Sequence, residues 1–157
     1  MRGKSFTKKR KLVPDEKYNS LLISEFINKV MLDGKKDTAT RIVYACLSEV
    51  ETKTKKKALE AFDIAFKNGA PLIEVRSKRI GGATYQVPVE VTPSRKIDLV
   101  FRWLIEAARS KQGQSMEKFL SDEILAMYKG EGTVIKKRND VHKMAEANKA
   151  FAHFARF

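Results

Sequence analysis

Apolar residues recur every three or four positions through most of this chain, the spacing that lines them along one face of an α-helix. In NSLLISEFINKVMLDGKK, Leu22, Phe26, Ile27 and Val30 share a face, Ser20 or Asn19 serves as the cap and Gly34 as the stop. DTATRIVYACLSEVETKT repeats the pattern through Ile42, Val43, Cys46, Leu47 and Val50. KALEAFDIAFKNGAP places Leu59, Phe62, Ala65 and Phe66 together, with Asn68-Gly69 as a C-terminal stop and Pro71 as a breaker. Pro93-Ser94 opens a fourth helix carrying Ile97, Val100, Phe101, Leu104, Ile105 and Ala108. A fifth carries Met116, Phe119, Leu120, Ile124 and Met127 and closes at Gly130 and Gly132. The sixth is expected to start at Asp140 and to carry Val141, Met144, Ala145, Asn148 and Phe151 or Ala152. No internal repeat and no second core emerge. The expectation is a mainly α protein, one domain over residues 1–157, built as a six-helix bundle.

One segment breaks this period. From Leu72 to Ile80 and from Ala83 to Val91 the apolar residues alternate, and Gly81-Gly82 separates the two runs. A Gly-Gly pair supplies the positive φ angles of a two-residue hairpin turn. The pattern therefore predicts a two-stranded β-ribbon over about 72–91, protruding between the third and fourth helices. In that register Ile80 faces Ala83, Lys78 faces Tyr85, and Arg76 faces Val87. Leu72, Ile73, Val75, Val89 and Val91 make the base apolar, so the base is expected to rest on the helices. Pro88 cannot donate a ladder hydrogen bond, which suits a ribbon with open edges. The outer half holds Arg76, Lys78, Arg79, Thr84, Tyr85 and Gln86 and has little apolar surface to bury. Isolated hairpins are marginal in water, so such a half is expected to be stabilised by what it touches. Arg and Lys neutralise phosphates, Tyr85 can stack on a base and Gln86 can bond a base edge. The simpler alternative is a solvated hairpin whose charges only block edge pairing.

Charge sharpens this picture. Among 157 residues, 32 Lys and Arg stand against 19 Asp and Glu, a formal net charge of +13, which is usually matched to a polyanion. Residues 1–11, MRGKSFTKKRK, hold Arg2, Lys4, Lys8, Lys9, Arg10 and Lys11 and no acid. They read as a basic arm that orders on a partner, or else as a solvated tail. Cys46 is the single cysteine, which excludes an intrachain disulfide and suits a reducing compartment. No apolar run approaches a membrane span or a signal-peptide core, so a soluble cytoplasmic protein with no membrane partner is the expectation.

Other chemistry is thin. His142 and His153 could share a helix face, but no further ligand stands at metal-binding spacing, so no metal and no cofactor are expected. Gly81-Gly82 is not followed by Lys-Ser/Thr and a helix, so it is no P-loop. Asp122 and Glu123 have no partner for paired-carboxylate catalysis. Cys46 lies in a core pattern. Lys55-Lys56-Lys57 is either a solvated linker or an RNA contact. Trp103 lies off the main stripe of its helix, either packed on the ribbon base or half exposed. With no nucleophile, base or cofactor loop assembled, the chain reads as a binding protein rather than an enzyme.

The strings EVRSKRIGGATYQVPVEV, FRWLIEAAR and KKRNDVHKMAEANKAFAHF together resemble the bacterial-type small-subunit ribosomal protein seven family, over nearly the whole chain. The resemblance implies a helical bundle with a protruding ribbon. It also implies a structural role: direct, early binding of the 3′ major domain of small-subunit ribosomal RNA, organisation of the subunit head, proximity to messenger and transfer RNA at the exit site, and small-subunit proteins nine and eleven as neighbours. On this chain it marks Arg76, Lys78, Arg79, Tyr85 and Gln86 in the ribbon, and Lys35 and Lys36 after the first helix. It marks Arg95, Arg102, Arg109 and Lys111 along and after the fourth helix. It marks Lys136, Lys137, Arg138, His142 and Lys143 into the last helix, then Lys149 and His153. The N-terminal arm and the ending AHFARF depart from the usual family pattern. A DNA-architectural protein, which also extends basic ribbons from a helical body, is the alternative; arms that kink DNA carry an apolar wedge near the tip, and here only Ile80 is available.

Overall fold

The computed structural model describes residues 12–156. Six α-helices form the body: α1 (Leu21–Val30), α2 (Lys36–Thr54), α3 (Ala58–Gly69), α4 (Pro93–Arg109), α5 (Met116–Lys129) and α6 (Thr133–Ala147). Strands β1 (Ile73–Ile80) and β2 (Ala83–Glu90) form an antiparallel ribbon between α3 and α4, and a 3₁₀ segment, Lys149–Arg156, follows α6. The fold class and the place of the ribbon are as the hydrophobic pattern predicts.

The core is aromatic at its centre. Phe26, Phe62 and Phe101 bring three helices together, with ring centroids 4.9 to 6.2 Å apart, and Phe66 meets Phe101 edge-on at 5.8 Å. Ile23, Val43, Leu47, Val50, Leu104, Leu120, Ile124 and Met127 are buried around them. Cys46 is buried with them, and burial pushes its thiol pKa up, so it behaves as a small apolar residue.

Helix ends differ from the expected ones for identifiable reasons. Helix α1 stops at Val30, and Gly34 instead supplies a positive φ of 74° in the turn before α2. Gly69 is not a left-handed cap but the last residue of α3. A Cβ there would lie 2.6 Å from the terminal methyl of buried Met127, so any side chain at this position would require that methyl to move. The last helix begins at Thr133, seven residues before the expected Asp140, and Val134 and Ile135 are its buried anchors. The basic run Lys136-Lys137-Arg138 is therefore inside the helix rather than leading into it.

The ribbon pairs Ile80 with Ala83, Lys78 with Tyr85 and Arg76 with Val87, the register the two-residue turn dictates. Gly81 and Gly82 take φ of 56° and 90° at the tip. The root is anchored only in part by the expected residues: Val91 is buried and Val75 and Val89 are half-buried, but Val87 and Glu74 take the places expected of Leu72 and Ile73. Val87 (1% exposed), Val91 and Glu74 are buried, whereas Leu72 and Ile73 are exposed. Leu72 and Ile73 instead edge a surface groove shared with Val89 and with His142 and Ala145 of α6, which leaves them partly open to solvent. Replacing Val87 with Ala should lower unfolding stability by roughly 1.5–3 kcal/mol, the worth of a buried Val side chain. Ile73→Ala should stay within about 0.5 kcal/mol, as for most exposed positions. Chemical denaturation of the two variants checks the contrast, and equal losses would place the anchor elsewhere.

Candidate nucleic-acid interface

The marked cations fall into three physically different settings. The first is a chain of ion pairs where the ribbon root meets α4. Glu74, on β1, has a side chain only 9% exposed. Arg76 Nε donates to its Oε1 at 2.8 Å and Arg95 Nε to its Oε2 at 3.2 Å. Arg95 Nη1 also reaches Asp98 Oδ2 at 3.1 Å, and Arg102 Nη2 reaches the same oxygen at 3.0 Å. Lys29, from α1, bonds Asp98 Oδ1. Arg76, Arg95 and Arg102 are thus brought together from separate places in the sequence. The acids respond as this geometry requires. The Lys29 bond is the main cause holding Asp98 below the ordinary carboxylate value. Burial pushes the Glu74 carboxyl up, but bonds from Arg76 and Arg95 outweigh it and leave it lowered.

The second setting is the outer half of the ribbon, which does not stand alone. The C-terminal 3₁₀ segment crosses it. Tyr85 packs against Phe151 and Phe154 with centroids 5.4 and 5.2 Å apart. Lys78 Nζ donates to the Phe154 carbonyl at 3.1 Å. Gln86 exchanges side-chain hydrogen bonds with Ser77 across the strands at 3.0 and 3.2 Å. Tyr85, Lys78 and Gln86 therefore have intramolecular partners, while Arg79 and the Gly81-Gly82 tip are exposed.

Helix-tying cations make up the third. Arg109 Nη2 donates to the Val30 carbonyl at 3.2 Å, satisfying the end of α1. Lys111 pairs with buried Glu123 at 2.7 Å, and Lys137 with Glu106 at 2.7 Å. Arg138 bonds the Asn68 carbonyl at the end of α3 and the Asn139 side chain. Lys35, Lys36, Lys136, Lys143, Lys149 and His153 remain exposed, and the His153 ring lies tilted against Phe154 with centroids 3.9 Å apart. Arg2, Lys4, Lys8, Lys9, Arg10 and Lys11 lie outside the described residues. The segment that follows them is anchored: Ser24 Oγ donates to the Val13 carbonyl at 2.7 Å and the Tyr44 hydroxyl to Asp15 at 2.8 Å.

Sequence reasoning missed Lys29, Glu74, Asp98, Phe151 and Phe154. The spacing Arg95, Asp98, Arg102 carried a signal, because residues three and four apart meet on a helix. Phe151 and Phe154 carried only their spacing of three. Trp103 resolves as half-buried, lining a groove of about 440 Å³ with Val75, Leu99, Val141 and Met144 between the ribbon, α4 and α6. Lys56 lies 5.6 Å over the Tyr128 ring. Among the described residues no cluster of His, Cys, Asp and Glu could hold a metal ion, and no helix is long and apolar enough to cross a membrane.

A helical body extending a cationic two-stranded arm, with exposed Lys and Arg around its root, defines a class of proteins that present basic surface to a polyanion. Within that class the chain belongs to the ribosomal protein S7p/S5e family, whose family model matches residues 2–149. It is similar to the small ribosomal subunit protein uS7 of Thermosipho africanus, 54% identical over 92% of this chain and 94% of the relative. The uS7 proteins of Roseobacter denitrificans and Chromobacterium violaceum are 53% and 51% identical, each over 93% of this chain and 94% of the relative.

His142 stands apart from the other marked residues. The Leu72 N–H donates to its Nε2 at 3.0 Å, at the start of the ribbon. A ring nitrogen that accepts a hydrogen bond carries no proton. Burial first, and the Arg138 guanidinium second, lower its pKa from the ordinary 6.5. The unfolded chain therefore binds a proton more readily than the folded one. Stability from this contact is complete above about pH 6.5 and is lost as pH falls below it. Between pH 7.5 and pH 5.5 the parent should lose more melting temperature than His142→Gln. Parallel pH profiles for the two would show that the contact contributes nothing.

Proposed function

We propose that this family member works as a structural constituent of the small ribosomal subunit and not as an enzyme. It binds the 3′ major domain of small-subunit ribosomal RNA directly and early, and nucleates the head. Its ribbon and last helix lie near messenger and transfer RNA at the exit site, with small-subunit proteins nine and eleven beside it. The observation that carries this reading is the family match over residues 2–149. Charge supports it, since a net +13 needs a polyanion partner. Exposed Lys35, Lys36, Arg79, Lys136, Lys143 and Lys149 offer phosphate contacts on several faces, which suits wrapping by a folded RNA better than one duplex groove. The ribbon tip argues against DNA kinking. It ends in Gly81-Gly82, flanked by half-buried Ile80 and exposed Ala83, and offers no large apolar wedge.

Chemical footprinting of ribosomal RNA with and without the full chain should show protections confined to the 3′ major domain. In binding titrations, log K should fall linearly with log salt, by roughly 0.7–0.9 per phosphate contacted. Deleting residues 1–11 should flatten that slope while leaving the helical circular dichroism intact. Tighter binding to duplex DNA than to the ribosomal RNA at equal salt would overturn the reading, and an unchanged slope would make residues 1–11 a solvated tail.

A further inference from the structure

Two acids sit in the middle of the cationic face, where simple Coulombic reasoning says they should weaken binding to RNA. Their geometry says otherwise. We propose that Glu74 and Asp98 are positioning residues for RNA, holding Arg76, Arg95 and Arg102 as a fixed array of donors whose unused N–H groups meet phosphates. The proposal rests on the reading that this face binds RNA.

The donor inventory supports it. A guanidinium has five N–H donors. Arg95 uses Nε and Nη1 on the two acids, leaving Nη2. Arg102 uses Nη2 on Asp98, leaving Nε and Nη1. Arg76 turns Nε and Nη2 toward Glu74, leaving Nη1. All three side chains keep solvent access, at 36%, 52% and 58% for Arg95, Arg102 and Arg76, so the remaining donors can be approached. With Lys29 there are four cations to two carboxylates, so the array stays net positive. A planar fork fixed before the encounter loses less freedom on binding than a solvated one.

Magnitudes decide between attraction lost and order gained. One exposed ion-pair charge is worth about 1.4- to fivefold in an equilibrium. Each long side chain that must be immobilised on binding costs about two- to twelvefold, and Asp98 holds three: Lys29, Arg95 and Arg102. Removing the Asp98 charge should therefore weaken binding to a phosphate array that matches the fixed donors. The same change should leave binding to an unmatched polyanion equal or tighter, because there only net charge counts.

The test uses full-length parent, Asp98→Asn, Asp98→Glu and the double variant Arg95→Ala/Arg102→Ala, at one salt concentration. Probes are a transcript of the 3′ major domain and a random-sequence RNA duplex. Asp98→Asn should bind the transcript about three- to tenfold more weakly than the parent and the duplex at least as well. Asp98→Glu, which restores the charge, should recover more than half of the loss on the transcript. Equal or tighter transcript binding by Asp98→Asn overturns the proposal, as does an equal loss in Asp98→Glu. A loss on both probes means general unfolding and also overturns it. The double variant tests the premise: if it binds the transcript as the parent does, this face is not an RNA surface and the proposal fails, whereas the functional reading stands or falls on the footprint of the parent.

Discussion

A two-stranded ribbon has no interior. Each strand has only one neighbour, so whatever it buries must be buried against something else. The arrangement of this protein depends on how that constraint is met at the ribbon root, and the central contact is Glu74. Its carboxylate lies on β1, nearly out of water, where a lone charge would be costly. It is tolerated because Arg76 on the same strand and Arg95 on α4 both bond it. Arg95 continues to Asp98, and Asp98 reaches Lys29 on α1. One buried acid thus ties the ribbon to two helices. Val87 and Val91 supply the apolar part of the same joint.

The far end of the ribbon meets the constraint differently. There the fold supplies aromatic rings instead of charge. Phe151 and Phe154 cover Tyr85, and the Phe154 carbonyl accepts from Lys78. The ribbon is therefore held at both ends by its own chain, and residues 79–84, with exposed Arg79, Thr84 and the glycine tip, lie past the supported Lys78–Tyr85 pair. A residue type suited to base stacking or phosphate binding is not by that fact available for either.

Much of the fold was legible in the sequence because its signals are local. Six helices follow from the 3.6-residue spacing, and the ribbon register follows from period two around Gly81-Gly82. The start of α6 was not legible. Thr133, Val134 and Ile135 are β-branched and are followed by three basic residues, so no amphipathic stripe marks that turn; burial of Val134 and Ile135 against the bundle overrides weak propensity. The interface was legible only as a set of charges. Which of those charges are already engaged depends on partners roughly 20 to 80 residues away, as for Arg95 with Glu74, Lys78 with Phe154, Arg109 with Val30 and Arg138 with Asn68. Residue type does not reveal such pairings. The Arg95, Asp98, Arg102 triad, by contrast, lay within one helix, close enough in sequence to be read.

The segment over the ribbon has a consequence for synthesis. Strands β1 and β2 are complete at Glu90, but the clamp begins only at Lys149 and ends at Arg156. Some sixty residues must therefore be added before the outer half is covered, which at roughly 5–20 residues per second takes several seconds. During that interval Tyr85 and Lys78 face solvent on a chain still attached to its ribosome, and the residues that close this midway part of the fold are added only after all six helices. A chain cut just before Lys149 would keep all six helices and leave the ribbon's outer half permanently open.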